Sequence, residues 1–497
     1  MSGLLFSFLS PFSFLLEFAN DDSFYYLKTA YNFSNGNGST FDLVNFTNGY
    51  HPLWFFLLSL YFFIINNFTN FSPELYYRMV VLLTFVICSI TLFVQYRIAK
   101  INLPVQATKY ILLFSPLYLL FVFTRDFGME THLICFIISV YILLKSLEMV
   151  SQVSHTNLKC LLLGCLLLAR IDFLITVIPV IITVDFFTSN VNIRRKFFTT
   201  SSIVILIIAA IYFSSNYYFF GHIMTVSSQI KNSFPETVFI KNLTVLTHSG
   251  TLTNQFAKTI YCSLVILIFI ILMSIDKYRN RFKNVDLFIL GICSGALIFL
   301  IFNIALNKHS LKEWYVAFPA FVCSMLLVRM ILLFKNIYYP ALVIFTAAFI
   351  YHFTITRLNN PKWQNTYEYA KQIQKITEPD DRIFQIDLSG IVGYFSERKV
   401  INGDGLINSF EYLEYLNRND LKSYLKKMDI DYYSTHSTNK GDFKIEKTGK
   451  LFIDSYYANN FGGYPFEFPE SNLKFRFPYY YYFAVNSDSG EWYLFEF

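Results

Sequence analysis

The sequence predicts a multi-pass α-helical membrane protein with a small α/β domain at its C-terminal end, on three observations. Of 497 residues, 54% are hydrophobic and 15% charged, against about 25% charged in an ordinary soluble domain. Mean hydropathy is +0.42. Long apolar runs recur at Met79–Val94, Ile111–Phe123, Ile134–Leu144, Ser202–Phe213, Ser263–Ile275, Val285–Phe302, Val316–Leu333 and Ala341–Tyr351. With its flanks, each nears the length that crosses roughly 30 Å of hydrocarbon. Beyond about Arg357, charge rises and the apolar runs shorten to strand length. A large soluble protein with this many buried helices would need far more polar surface.

The elements follow in order. Leu4–Phe18 has no basic segment before it and no small-residue cleavage site after it, so it reads as a retained, short first helix. Asp21 to about Arg78 reads as a long external loop. Within it, Leu53–Ile65 is short and rich in Trp and Phe, which suits a helix lying in the membrane interface. Spans are expected at about 78–97, 109–124, 131–148, 159–170, 171–187, 198–216, 259–276, 285–306, 314–334 and 338–356, making about eleven with the first helix. Basic clusters at Arg97–Lys100, Arg194–Lys196 and Lys277–Lys283, joined by Lys335, orient these spans, because basic loops stay cytoplasmic. The N-terminus is then cytoplasmic and the segment after Arg357 extracytoplasmic. The run Leu161–Val184 is broken by Ala169-Arg170-Ile171-Asp172. Two charges in mid-hydrocarbon are costly, so a pair of short helices meeting at the outer face is expected there.

The chain thus divides into a transmembrane part, 1–356, with its first external loop at 21–78, and an extracytoplasmic α/β part, 357–497. In the latter, Arg382–Asp387 and Lys399–Asn402 read as strands around a Gly-punctuated turn and short helix, Leu388–Tyr394. Asp420–Met428 reads as a helix with Asp420 as N-cap, leading into a strand at Ile430–Ser434. Alternating strands and helices argue for an α/β domain. The net charge of +6 lies mainly in short inter-helix loops, so it orients a membrane protein and does not point to nucleic acid. The seven cysteines lie in or beside apolar segments without metal-ligand spacing, and disulfides or a structural zinc are not expected.

The unusual polar residues fall on one side of this topology. They are Asp21 and Asp22; Tyr50 and His51 within Asn48–Pro52; Arg125, Asp126 and Glu130; Arg170 and Asp172; His222 and Lys231; and Lys308, His309, Lys312 and Glu313. Carboxylates beside hydrocarbon are expensive unless they face water, a partner or a reaction, so the Asp21-Asp22 pair marks a site. Convergence at helix ends suggests an extracytoplasmic cavity. Other readings stand beside this one. Asp21 and Asp22 suit helix capping, Glu130 suits the same, Arg170 with Asp172 suits an internal ion pair, and the lysines and Arg125 suit contact with lipid headgroups. Paired carboxylates also attract a divalent cation, although no further ligand set accompanies them.

The stretch Asp21–Trp54 resembles the first external loop of the GT-C integral-membrane glycosyltransferases, in particular bacterial members akin to protein O-mannosyltransferases, aminoarabinose transferases and arabinofuranosyltransferases. Phe127–Thr131 resembles their second acidic loop, and Leu167–Asp172 their broken helix pair. Tyr218–Lys231 and Glu313–Val316 resemble later external elements. Asp387–Gly390, Gly393–Ser396 and Asn402–Leu406 resemble the soluble domain of some members.

The resemblance implies a GT-C fold and transfer of a sugar from a polyprenyl-phosphate donor outside the cytoplasmic membrane. The acceptor is a hydroxyl on a glycan, lipid or protein, with membrane lipids as surroundings. A sugar phosphate already carries a good leaving group, so the chemistry needs a base for the acceptor and cations for the departing phosphate. Asp21 or Asp22 is the base, with inversion as the outcome. Arg125, Arg170, Lys231 and Lys312 are candidates for phosphate. Tyr50, His51, Glu130 and Asp172 are candidates for other substrate contacts. The alternative is a transporter or flippase of a lipid-linked glycan, although neither an internal repeat nor a mid-membrane charge path is evident.

Overall fold

The computed structural model describes residues 2–68, 71–122, 126–248, 255–309, 311–354, 363–438, 445–461, 464–483 and 486–497. Among these, seven helices are long and apolar enough to cross a membrane: Pro73–Asn102, Thr131–Ser151, Ile171–Thr188, Ile193–Phe220, Ala257–Ser274, Asn284–Leu306 and Glu313–Ile331. Four shorter apolar helices accompany them, at Pro52–Asn66, Ala107–Phe121, Thr156–Ala169 and Tyr338–Phe353. The protein is a multi-pass α-helical membrane protein with a sheet-containing C-terminal part.

Two N-terminal expectations change. The run Leu4–Phe18 is not one helix: it divides into Ser2–Leu9 and Phe12–Leu16. Pro11 sits at the break, where a proline interrupts the hydrogen-bond ladder, and neither piece is long enough to span. The loop from Asp21 to Arg78 is itself largely helical, holding Asp21–Ser34 (the carboxylate helix) and Pro52–Asn66. Asp21 and Asp22 do not cap the carboxylate helix. Asn20 is its N-cap, and its amide donates to Ser23 Oγ at 3.2 Å. The two aspartates occupy the first turn, where negative charge offsets the exposed amides.

The C-terminal part contains two sheets. Strands β1 (Arg382–Gln385), β2 (Lys399–Asn402), β3 (Tyr432–Thr438), β4 (Ile445–Thr448), β5 (Leu451–Asp454), β6 (Phe466–Pro469), β7 (Leu473–Phe483) and β8 (Asn486–Glu496) form a five-stranded sheet of order β2-β1-β3-β8-β7 and a three-stranded sheet of order β4-β5-β6. β1 runs parallel to both β2 and β3. Its buried Ile383, Phe384 and Gln385 mark it as an interior strand. Ser389–Ser396, the docking helix, forms the crossover from β1 to β2. Asp420 precedes the helix Leu421–Lys427 but makes no side-chain capping bond.

A second helix ties this unit to the membrane part. Trp363–Ile376 buries Trp363, Thr366, Ala370 and Ile373, a helical stripe, and stacks Tyr369 on Trp492 with centroids 4.4 Å apart. Trp363 Nε1 donates to the Ala19 carbonyl at 2.8 Å, and its amide to Glu17 Oε1 at 2.9 Å. The C-terminal unit is therefore anchored immediately before the two aspartates.

Candidate active site

A cavity of about 590 Å³ lies between the ends of the spans and the C-terminal unit. The carboxylate helix lines it with Asp22 and Tyr26, one turn apart, and with Tyr25. Asp21, Tyr25 and Lys28 follow the neighbouring stripe and meet the C-terminal unit. Asp21 is not at the cavity. Its Oδ1 accepts from the Ile391 amide at 2.8 Å and its Oδ2 from the Gly390 amide at 3.1 Å, both in the first turn of the docking helix. Among the described residues, the Asp22 carboxylate bonds its own backbone amide but makes no side-chain hydrogen bond to another residue and no ion pair. Burial raises the pKa of both aspartates. For Asp21 the two amides oppose that rise, and for Asp22 the ammonium groups of Lys231 and Lys312 do.

The remaining predicted residues separate. Tyr50 and His51 line the cavity at the start of Pro52–Asn66. Tyr50 stacks on Phe55 at 3.9 Å and shares a 2.5 Å hydrogen bond with Ser39 Oγ. The His51 amide donates to Tyr26 Oη at 3.1 Å, and its ring Nε2 lies 3.9 Å from Glu130 Oε1. Burial, helped by Arg170 and Lys231, holds the imidazole well below its ordinary pKa, so it is neutral.

Glu130, Arg170 and Asp172 form one ionic group on the cavity wall. Arg170 Nη1 meets Glu130 Oε1 at 3.0 Å, and its Nε meets Asp172 Oδ1 at 3.2 Å. The guanidinium carbon lies 4.4 Å from the Tyr315 ring centroid and 5.0 Å from that of Phe299. The expected helix break is here: Thr156–Ala169 ends, Arg170 is extended, and a 3₁₀ turn, Ile171–Leu174, follows. The guanidinium is thus held by two carboxylates and two rings, leaving Lys231 as the cavity-lining cation without an ion-pair partner among the described residues. Lys231 closes the short helix Val226–Lys231, which Asn48 Oδ1 anchors by accepting from the Val226 amide at 2.9 Å. Its carbonyl accepts from the Lys308 amide at 2.8 Å. Burial lowers its pKa, but the nearby Tyr315, Asp22 and Asp404 lift it above the ordinary value.

Lys312 is exposed and does not line the cavity, although its charge reaches Asp22. Lys308, Lys312, Lys231 and Lys241 surround His309, whose pKa falls to about 4 through burial and these charges. Arg125 lies outside the described residues.

The sequence places a small α/β domain over the external site but does not single out the residues of the C-terminal unit that reach the cavity. Leu406 and Ile407 line the cavity beside Gly49 and Tyr50. Tyr25 Oη donates to Asp404 Oδ2 at 3.1 Å and lies 3.1 Å from Ser389 Oγ. Burial, with Asp387 and Asp22 adding, pushes the Asp404 pKa up to about 7. The Gly-Asp-Gly turn at 403–405 was its only signal in the sequence.

For a divalent cation the fit is poor. No group of three or more His, Cys, Asp or Glu side chains suited to a metal occurs among the described residues. Asp21 is engaged by two amides, and Glu130 and Asp172 by Arg170.

An apolar part of the wall comes from the spans: Ile171, Leu174, Ile175, Phe213, Phe302 and Leu306. These sit at one end of the bundle. Phe213 is near the C-terminal end of Ile193–Phe220, whose first turn carries Arg194–Lys196. Phe302 lies near the C-terminal end of Asn284–Leu306, the helix that begins just after Lys283.

No protein-family model matches the chain, and neither does any curated protein. Solved structures do. The crystal structure of ArnT from Cupriavidus metallidurans bound to undecaprenyl phosphate superposes with TM-score 0.55 at 11% identity, over 88% of this chain and 92% of that one. The Archaeoglobus fulgidus oligosaccharyltransferase, in complex with Zn and sulfate, superposes with TM-score 0.54 at 13% identity, over 87% of this chain and 67% of that one. The chain shares the fold of these two structures, the GT-C fold.

Proposed function

We propose that this chain is a membrane glycosyltransferase that moves a sugar from a polyprenyl-phosphate donor to an acceptor hydroxyl at the external face of the cytoplasmic membrane. One observation carries the reading: a carboxylate, Asp22, and an ammonium, Lys231, neither in an ion pair among the described residues, line one cavity that also has an apolar patch supplied by the spans. The apolar patch suits the polyprenyl chain, and Lys231 suits its phosphate. The fold and the undecaprenyl phosphate in the ArnT structure support this class of donor.

Asp22 takes the proton of the acceptor hydroxyl as its oxygen bonds to the anomeric carbon. The bond from that carbon to the phosphate oxygen breaks, and polyprenyl phosphate leaves with the electron pair. Lys231 offsets the charge that grows on the phosphate, with Lys312 adding at longer range. One displacement inverts the anomeric centre. The Glu130–Arg170–Asp172 group shapes the sugar pocket beside the neutral His51, and no step runs through a metal.

The external location rests on the placement of the basic clusters at the opposite ends of the helices that line the cavity. The test uses purified protein in nanodiscs, synthetic polyprenyl-phosphate hexoses and pentoses, and octyl glycoside acceptors. Release of polyprenyl phosphate with an octyl disaccharide of inverted linkage is the expected result. Donor movement across the membrane without release would favour a flippase, and inertness toward every donor would sink the reading.

A further inference from the structure

The C-terminal unit is not a loose appendage of the cavity. The carboxylate helix presents two stripes, and the one adjoining Asp22 is wholly engaged with that unit. Asp21 receives two docking-helix amides. Four residues on, Tyr25 Oη joins Asp404, Ser389 and Asn402 within 3.1 Å. One turn further, Lys28 Nζ donates to the Gly393 and Arg398 carbonyls. Tyr25, Phe41 and Ile407 close an apolar seam over this network, with Tyr50 packed against it.

The backbones approach closely on both sides of the seam. A methyl group at Gly390 would stand 2.2 Å from the Asp21 carbonyl oxygen, and one at Gly49 would stand 2.0 Å from that of Leu406. Side-chain-free positions are what such contact requires. The turn 403–407 is thereby pressed against Gly49 and Tyr50, and Leu406 and Ile407 become cavity wall.

That wall comes from loops and the C-terminal unit, and the apolar patch comes from the spans. In an inverting displacement the acceptor enters opposite the leaving phosphate. If the lipid occupies the apolar patch, the acceptor faces the loops at 49–51 and 403–407. We propose that the C-terminal unit forms the acceptor-side wall of the active site and that Asp21 is the latch holding it there, acting on transfer through position and not through proton transfer. This rests on the glycosyltransferase reading above.

The experiment compares Asp21→Asn, Asp21→Ala and Gly49→Ala in the full-length protein in nanodiscs. Hydrogen exchange of peptides covering 389–396 and 403–407 is read beside transfer to octyl glycosides. Asp21→Asn keeps one acceptor oxygen, so transfer falls by about tenfold, the scale of one lost hydrogen bond. A lost general base would cost about 10²–10⁴-fold. Asp21→Ala and Gly49→Ala are expected to lose protection in both peptides. They should also raise the acceptor KM several-fold more than they lower kcat, with donor binding unchanged. Gly49→Ala changes no charge, so it separates position from titration.

Loss of transfer in Asp21→Asn to the level of Asp22→Asn, with protection intact, overturns the latch. Loss of protection without a change in acceptor KM overturns the wall. A wild-type protein inert toward every donor overturns the function and the wall together, while exchange in Asp21→Ala still decides the latch.

Discussion

Adjacent aspartates in the first turn of one helix point about 100° apart, and that angle divides their work. Asp21 meets two amides, so its charge is held by the docking helix. Asp22 meets a cavity and two lysine charges. A desolvated carboxylate bonded only within its own residue, as Asp22 is, is a stronger base than one fixed by two amides of another helix. Asp22→Asn is therefore expected to lower kcat by about 10²–10⁴-fold with donor affinity little changed, read as polyprenyl phosphate release beside a donor-binding assay. Near-wild-type turnover would exclude Asp22 as base. The pH profile follows with its sign. Asp22 acts when ionised, so transfer rises with pH, and burial places the midpoint above the ordinary carboxylate value of about 4. Lys231 remains charged beyond the neutral range, so the profile has a single acidic limb. Lys231→Met removes an opposing charge and should move that limb upward while weakening donor binding. A limb that stays in place would separate Lys231 from Asp22.

At the scale of elements, the break between Thr156–Ala169 and the following 3₁₀ turn shows what a sequence discloses. Charges in an apolar run announced the interruption, because two bare charges inside hydrocarbon are expensive. The partners of Arg170 were not announced: Glu130 is forty positions away, and the stacking rings of Phe299 and Tyr315 belong to other helices. Most span positions were similarly legible from hydropathy, with ends shifted by a few residues, as at Pro73–Asn102. In the first loop the Trp- and Phe-rich helix was legible, but the burial of the carboxylate helix was not, since it mixes Asp, Lys, Asn and Tyr and buries most of them against neighbours distant in sequence. A domain over the cavity was legible, but the residues of its wall were not, for the same reason. Its lining residues, Leu406 and Ile407, look like ordinary apolar residues until the chain brings them to Gly49. Arg170 gives a direct check on this element. Arg170→Lys keeps the charge but loses the planar fork and the stacking face. Transfer should fall by more than about tenfold with the protein still folded, read by kcat/KM and thermal unfolding together. Full activity would mean that charge alone suffices there.

For the whole molecule, the arrangement of charge from end to end matters most. Basic clusters lie at the helix ends remote from the cavity, which predicts sidedness. A membrane-impermeant thiol reagent applied to intact cells should label Lys312→Cys and not Arg195→Cys, and the reverse pattern would invert the topology. The cavity end also depends on a buried lock at the far end. Lys145 Nζ meets Asp185 Oδ1 at 2.7 Å, and Lys159 Nζ meets Asp185 Oδ2 and Glu148 Oε2 at 3.0 Å each. Tyr141 donates to Asp185 at 2.6 Å. Two cations and two anions balance, with all four side chains buried. Lys145 and Glu148 lie late in the helix that begins beside Glu130, and Lys159 lies early in the helix that ends at Arg170. The lock therefore joins, at one end, the two helices whose other ends bring Glu130 and Arg170 within 3.0 Å. Removing one member leaves uncompensated buried charge, which costs about 3–5 kcal/mol. Asp185→Asn should lower the unfolding temperature in detergent markedly and reduce transfer through loss of the remote ion pair, although it lies far from the substrate. Its pairing with Lys145→Met alone, which leaves Lys159 and Glu148 as a balanced pair, should recover part of the stability. An unfolding temperature unchanged by Asp185→Asn alone would show that the network contributes nothing to holding the helices together.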